Sequence, residues 1–263
     1  MLTGAIPMRE LSYRPGMEKR KRFLRSSYET RPRQPWERVL LSVFGALFLA
    51  GLIWLCVLLV STQSASQMYQ DTAKKYAGTG QVDFEQLWQE NRDIVAWIRI
   101  PGTPVNYPVL QGDNDQQYLR TTYQGHHNVL GSIFLSEDNR SDFSDPNSVI
   151  FGHNSHGKTM FGTLKNFRSS DYWREHPEIY LSLPGETRVY RILSVRETRT
   201  GSDVYQISFA DTEDQISWKW DQKSASVIST DPVEPNDSNT ITLSTCAGSN
   251  TNRRIVLVAQ RVR

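Results

Sequence analysis

Apolar residues are arranged along this chain in three successive ways, and each predicts a different kind of element. The first 38 residues show no sustained period and carry Pro15, Pro32 and Pro35, which predicts a flexible tail. Val39–Val60 (VLLSVFGALFLAGLIWLCVLLV) is 22 residues long and holds no charge. At about 1.5 Å per residue a helix needs roughly 20 residues to cross a hydrocarbon core, so one membrane-spanning helix is predicted there. From Ile94 onward the pattern changes to short β-rich runs bounded by turn residues. These are Ile94–Ile100, Val105–Leu110, Ser132–Leu135, Ser148–Phe151, Ile179–Leu183, Thr187–Thr198, Thr240–Thr245 and Arg254–Val262.

Between the apolar segment and the first run, Ser61–Tyr76 reads as a polar stalk or an amphipathic helix. A further helix is clearer. Asp83 can cap its start with Gln86 three residues on, and Phe84, Leu87 and Trp88 share a face. Pro184-Gly185 separates two strand runs as a hairpin turn, and Phe209–Ser226, with Ile216, Trp218 and Trp220 among charges, reads as a helix inserted before the last two strands. The fold expected is mainly β: a closed eight-stranded barrel, antiparallel or mixed, with N-terminal helices in front of it. The expected layout is a basic tail (1–38), a transmembrane helix (39–60), a stalk with N-terminal helices (61–92) and a barrel domain (93–263).

Charge adds a direction. Residues 1–38 hold ten Lys and Arg against four Glu, while the remainder holds twenty against twenty-four acidic residues. Basic residues flanking an apolar helix predict that this end stays in the cytoplasm, so everything after about residue 61 is expected outside the cell. A cleaved secretory signal is the competing interpretation. The apolar run exceeds the usual ~7–15 residues of a signal core, and Ser61–Ser66 matches a cleavage site only loosely, so the uncleaved anchor is preferred. A basic tail also suits anionic lipid headgroups. No nucleic-acid partner is expected.

Two cysteines are present, Cys56 inside the apolar segment and Cys246 near the C-terminus, so no intrachain disulfide is expected. An unpaired thiol in an exported domain points to intermolecular pairing or to a reactive role. Alternation along Asn239–Cys246 puts Ile241, Leu243 and Thr245 on one face and Thr242, Ser244 and Cys246 on the other, away from the barrel core. A free thiol is only a few per cent thiolate at neutral pH, so a nucleophilic Cys needs a basic or cationic neighbour. His126, His127, His153, His156 and His176 compete for that role. His153 is best placed, because Val149-Ile150-Phe151 reads as a buried strand and Gly152 allows a sharp exit. His156 is the runner-up. Arg254 supplies a permanent cation able to donate to a developing oxyanion, and alternation aims it at the face opposite that of Arg253.

The segments Asp93–Thr103 (DIVAWIRIPGT), Asn106–Gly112 (NYPVLQG), Gly131–Leu135 (GSIFL), Phe151–Asn154 (FGHN) running into Met160–Leu164 (MFGTL), and Thr242–Cys246 (TLSTC) followed by Arg254 resemble those of the sortases. The helix inserted before the last two strands is that of class B. The resemblance covers roughly residues 67–263 and implies a membrane-anchored cysteine transpeptidase of Gram-positive-type bacteria, with no metal or organic cofactor. It implies Cys246 as nucleophile, His153 as general acid/base and Arg254 as the group that orients substrate and stabilises the oxyanion. Asn106, Leu110, Ser244, Thr245 and Tyr205 are the implied substrate-binding residues. The implied partners are secreted proteins with a C-terminal sorting signal, resembling Asn-Pro-x-Thr-Asn/Gly or Leu-Pro-x-Thr-Gly, and an amine of peptidoglycan or its lipid-linked precursor. Some relatives polymerise pilins instead. The acidic calcium site of some class A members has no evident counterpart, although Asp113, Asp115, Glu137 and Asp138 are scattered nearby, and no calcium requirement is expected. An anchored cysteine peptidase or cell-wall hydrolase is disfavoured because its Cys would precede its His. A non-catalytic exterior sensor would leave the combination of His153, Cys246 and Arg254 unexplained.

Overall fold

The computed structural model describes residues 34–77, 81–155, 159–246 and 252–263, with Cys246 described by its backbone alone. Most of the predicted tail, His156 and residues 247–251 lie outside the described residues. The chain divides into two units, residues 1–56 and 57–263, at a point inside helix α1 (Pro35–Ala77).

In the first unit Pro35 opens the helix, where its missing N–H costs nothing, and Glu37 sits in the positively polarised first turn. The apolar side chains that follow are exposed, Phe44, Phe48 and Trp54 among them. α1 is the one helix among the described residues long and apolar enough to cross a membrane.

In the second unit the polar run after Val60 does not break the helix. The hydroxyls of Ser61 and Thr62 donate to the Leu58 carbonyl at 3.0 and 3.1 Å, so they are satisfied within the helix rather than competing with it. Ala65, Tyr69, Thr72 and Tyr76 then fall on one buried face. Tyr69 donates its hydroxyl to Gly131 O at 2.8 Å, and Thr72 shares a 2.8 Å hydrogen bond with the Tyr123 hydroxyl. Asp83 caps α2 (Phe84–Glu90), accepting from Gln86 N at 3.0 Å as the spacing predicts.

Eight strands close into a barrel: β1 (Ile94–Arg99), β2 (Asn106–Leu110), β3 (Ile133–Leu135), β4 (Asn147–His153), β5 (Glu178–Leu183), β6 (Glu186–Arg199), β7 (Thr240–Cys246) and β8 (Arg253–Arg261). Their order around it is β1-β2-β3-β4-β7-β8-β6-β5, with β5 returning to β1. Pro184-Gly185 makes the two-residue β5–β6 turn, and Gly185 has φ +89°, which favours glycine. Two pairs are parallel, β2 with β3 and β4 with β7. Parallel neighbours need long crossovers. The first is residues 111–132. The second carries α3 (Ser170–Glu175), the β5–β6 hairpin and α4 (Thr212–Ser224) before the chain returns beside β4.

Strand alternation produces two apolar cores. Ile98, Val109, Ile133, Ile150, Leu181, Leu243 and Leu257 fill the barrel. On the outer face of β8, Val256 and Val258 form a second cluster with Val204 and Trp218 from the segment inserted between β6 and β7. The buried face of α4 differs from what its aromatic residues suggest: it is made by Gln215, Trp218, Lys219 and Gln222, while Trp220 is exposed. The reason is local hydrogen bonding. Gln215 donates to Pro146 O and Ser238 O at 3.2 and 3.3 Å, and Lys219 Nζ donates to Asn236 O at 2.7 Å and to Ser238 O. These donations join the helix to backbone carbonyls of the segments it packs on. Burial pushes the Lys219 ammonium down to about 8.

Gly152 in β4 is a packing requirement. A Cβ there would stand 2.4 Å from Ile133 Cδ1 and 2.7 Å from Phe161 Cδ2, both side chains being fully buried. Gly152→Ala is expected to cost about 1–3 kcal/mol. Thermal unfolding followed by circular dichroism should fall by roughly 2–4 °C per kcal/mol for a domain of this size, and an unchanged Tm would contradict the packing described.

Candidate active site

The parallel register of β4 and β7 pairs Asn147 with Thr240 and continues without a shift to pair His153 with Cys246. Antiparallel β8 pairs Ser244 with Val256, and continuing that register by two residues sets Arg254 across from Cys246. His153, Cys246 and Arg254 therefore occupy one row across three neighbouring strands. Their positions all have the parity of the barrel's outer face, since Ile150, Leu243 and Leu257 point inward.

His153 Nε2 is hydrogen-bonded to the carbonyl of Leu119, in the β2–β3 crossover. A carbonyl only accepts, so Nε2 donates and the neutral imidazole keeps Nδ1 as its basic nitrogen. The loop leaving His153 turns back at once: Phe161 N donates to His153 O at 3.1 Å. Met160, at φ +52°, is held by the Tyr107 hydroxyl, which accepts from Met160 N at 3.0 Å. Burial holds the His153 imidazolium below its ordinary pKa, the Leu119 bond opposes this, and the cations of Arg120 and Arg254 push it further down. His126 and His127 are exposed, and His176 Nδ1 bonds Pro101 O at 2.9 Å.

Arg254 is half-buried and Arg253 exposed, as alternation predicts. Arg254 Nη1 is buried without a hydrogen-bond partner among the described residues. An unsatisfied guanidinium nitrogen beside the row is a donor available to an incoming oxygen.

Two residues deeper lies a second outward row, in which Leu110, Phe134, Phe151, Ser244 and Val256 are successive strand partners. Tyr205 covers it, its ring stacked 6.1 Å from that of Phe151 and its hydroxyl 2.9 Å from Ser244 Oγ. Of the residues named from resemblance as substrate-binding, half-buried Tyr205 stands next to the His153 row, and Ser244 and Leu110 share the second row, both fully buried. Asn106 and Thr245 lie elsewhere. Asn106 Oδ1 accepts from Trp97 Nε1 at 2.7 Å, and the residue lines a cavity of about 620 Å³ against α1. Thr245 has inward parity, and its hydroxyl accepts from Ile255 N at 3.1 Å. Phe151 and Leu119 were not singled out from sequence. Phe151 lies two positions before His153, so strand alternation could have found it, whereas the Leu119 contact is made by backbone and leaves no compositional trace. Among the described residues no group of three or more His, Cys, Asp or Glu side chains is placed to hold a metal.

Residues 98–262 match the family model of the sortase domain. The chain belongs to the sortase family. Its sequence is 30% identical over 203 residues to sortase B of Staphylococcus aureus, covering 76% of this chain and 83% of that protein. The solved Staphylococcus aureus sortase B–substrate complex superposes with a TM-score of 0.72 at 28% identity, over 78% of this chain and 99% of the other. A sortase B solved with triglycine gives 0.65 at 30% identity, over 77% and 94%. The barrel is thus that of a class B sortase, and the enzyme is a cysteine transpeptidase.

In this sortase the imidazole should be harder to protonate than that of an ordinary histidine. Carbon-13-labelled histidine observed by NMR in Cys246→Ala, which removes any thiol coupling, is expected to titrate His153 with a midpoint below that of an ordinary histidine. Adding Arg254→Gln should move that midpoint upward, because a cation that opposes protonation is gone. A midpoint above that of an ordinary histidine in the single variant would contradict the site as described.

Proposed function

We propose that Cys246 is the nucleophile, His153 the general acid/base and Arg254 the oxyanion donor of an extracellular sortase that joins sorting-signal proteins to an amine. The single observation supporting these assignments is the pairing of His153 with Cys246 in β4 and β7, to which the β7–β8 register, carried two residues past Ser244–Val256, adds Arg254. His153 Nδ1 takes the Cys246 thiol proton as the sulfur bonds to the carbonyl carbon of a Thr residue in the signal. The carbonyl oxygen gains negative charge and receives hydrogen bonds from the Arg254 guanidinium. The tetrahedral adduct collapses, the peptide C–N bond breaks, and Nδ1–H protonates the leaving amine. A thioester remains. An acceptor amine then attacks it, gives its proton to Nδ1, and the new amide forms as sulfur leaves and recovers the thiol proton.

The signal binds along the half-buried Tyr205 and Phe151, which edge a second row whose deeper members, Ser244 among them, are buried. The charge asymmetry about Val39–Val60 supports an N-terminus in the cytoplasm and residues 61–263 outside. A sortase B relative solved with a substrate and another solved with triglycine support a sorting peptide as donor and an N-terminal amine, of the kind found in a peptidoglycan cross-bridge, as acceptor.

Incubating the protein with an Asn-Pro-x-Thr-type or Leu-Pro-x-Thr-type peptide and triglycine should give a ligated product by mass spectrometry. Cys246→Ala should give neither ligation nor thioester. Arg254→Lys should lose roughly 10²-fold or more in kcat, because an ammonium lacks the planar donor fork. Near-normal turnover in either variant would refute the assignments, and hydrolysis without ligation would refute the transferase direction.

A further inference from the structure

Asn147 lies at the far end of β4 from His153, fully buried and facing outward, where a strand beneath an apolar coat would ordinarily carry Val or Ile. Every side-chain hydrogen-bonding direction it has is directed at a neighbouring element. Nδ2 donates to Gln206 O at 2.8 Å and to Val204 O at 3.4 Å. Oδ1 accepts from the Thr242 hydroxyl at 2.9 Å and the Thr240 hydroxyl at 3.1 Å. One amide thus ties the first half of β7 to the two carbonyls that flank Tyr205 in sequence.

Tyr205 ends a single 3₁₀ turn, Asp203–Tyr205, too short to hold its own geometry. Its position is imposed from outside. On the side away from Asn147, Trp218 Nε1 donates to Asp203 O at 2.9 Å, and Arg196 and Gln222 engage the Asp203 carboxylate at 3.1 and 2.9 Å. Those contacts fasten the start of the turn. The carbonyls on either side of Tyr205 are held by Asn147.

We propose that Asn147 is a positioning residue for sorting-signal binding: it acts through the 204–206 backbone to keep the Tyr205 ring over Phe151 and its hydroxyl at Ser244. This rests on the reading of that row as the signal groove. Asn147 touches none of His153, Cys246 or Arg254 in the described contacts, so its effect falls on binding of the signal and not on the reactivity of the thiol.

Asn147→Asp is the sharpest probe. It is isosteric, keeps oxygens for the Thr240 and Thr242 hydroxyls, and removes both donations to the 204–206 carbonyls. KM for the sorting peptide is expected to rise about tenfold or more with kcat within about threefold, the size expected for losing a buried hydrogen bond that acts on binding. The rate of Cys246 alkylation by iodoacetamide and its pH profile should stay as in the unsubstituted enzyme. In a Tyr205→Ala background the same substitution should raise KM no further, because it acts through that ring. An unchanged KM, a fully additive double variant, or a parallel loss of alkylation would each overturn the proposal. Asn147→Ser serves where the aspartate variant does not fold, with the same expected pattern and the same overturning results. The underlying groove reading fails separately: it is refuted if Tyr205→Ala alone leaves KM unchanged, whereas a KM raised by Tyr205→Ala and not by Asn147→Asp refutes only the role of Asn147.

Discussion

The parallel pairing of β4 with β7 is the contact on which the arrangement of the candidate site depends. His153 and Cys246 are 93 positions apart in the chain, yet seven consecutive residue pairs hold their strands in step and make the two direct partners. In a parallel ladder partnered residues share a face, so alignment of the first pair determines the last. A slip of one residue would carry Cys246 to the opposite face and replace a polar row with a core one. The cost of closing so long a loop rises only slowly with its length, which is why an entire hairpin and several helical segments fit inside it.

The segment between β6 and β7 makes this arrangement deep rather than superficial. On an uncovered barrel the outward positions of β7 and β8 would face water. Here Thr240, Thr242, Ser244, Val256 and Val258 are buried beneath Val204, Trp218 and α4. The coat adheres through a small apolar cluster, but much of its fastening is polar. Asn147, Gln215 and Lys219 each donate to two backbone carbonyls at the seam. Tyr205, at the edge of this coat, is both part of its packing and the cover of the row beside His153.

Much of the barrel was legible from alternation. All eight strand runs appear as strands, with most ends moved by one or two residues, and the Pro184-Gly185 turn and the Asp83 cap were signalled by local chemistry. Barrel parity likewise separates Arg254 from Arg253 in the sequence itself. What pattern could not supply was long-range and polar. The buried face of α4 is built from Gln and Lys because the surfaces it meets are carbonyls, and no hydrophobic period reports that. Leu119 meets His153 through its backbone, for which side-chain identity is silent. Asn106 and Thr245, taken from motif similarity, stand outside the Phe151–Ser244 row because neighbouring positions in a strand point to opposite faces or lie at opposite ends, a distinction that motif matching does not make.

The place of β7 and β8 after the other six strands has a temporal consequence. Both strands insert between β4 and β6, which have waited since much earlier in synthesis, and the barrel cannot close until they arrive. Contacts of such sequence separation form late in folding. A chain that has not yet supplied β7 and β8 therefore leaves the sheet edge of β4 unpaired and holds no assembled His153–Cys246–Arg254 row. Barrel closure and assembly of that row are the same event.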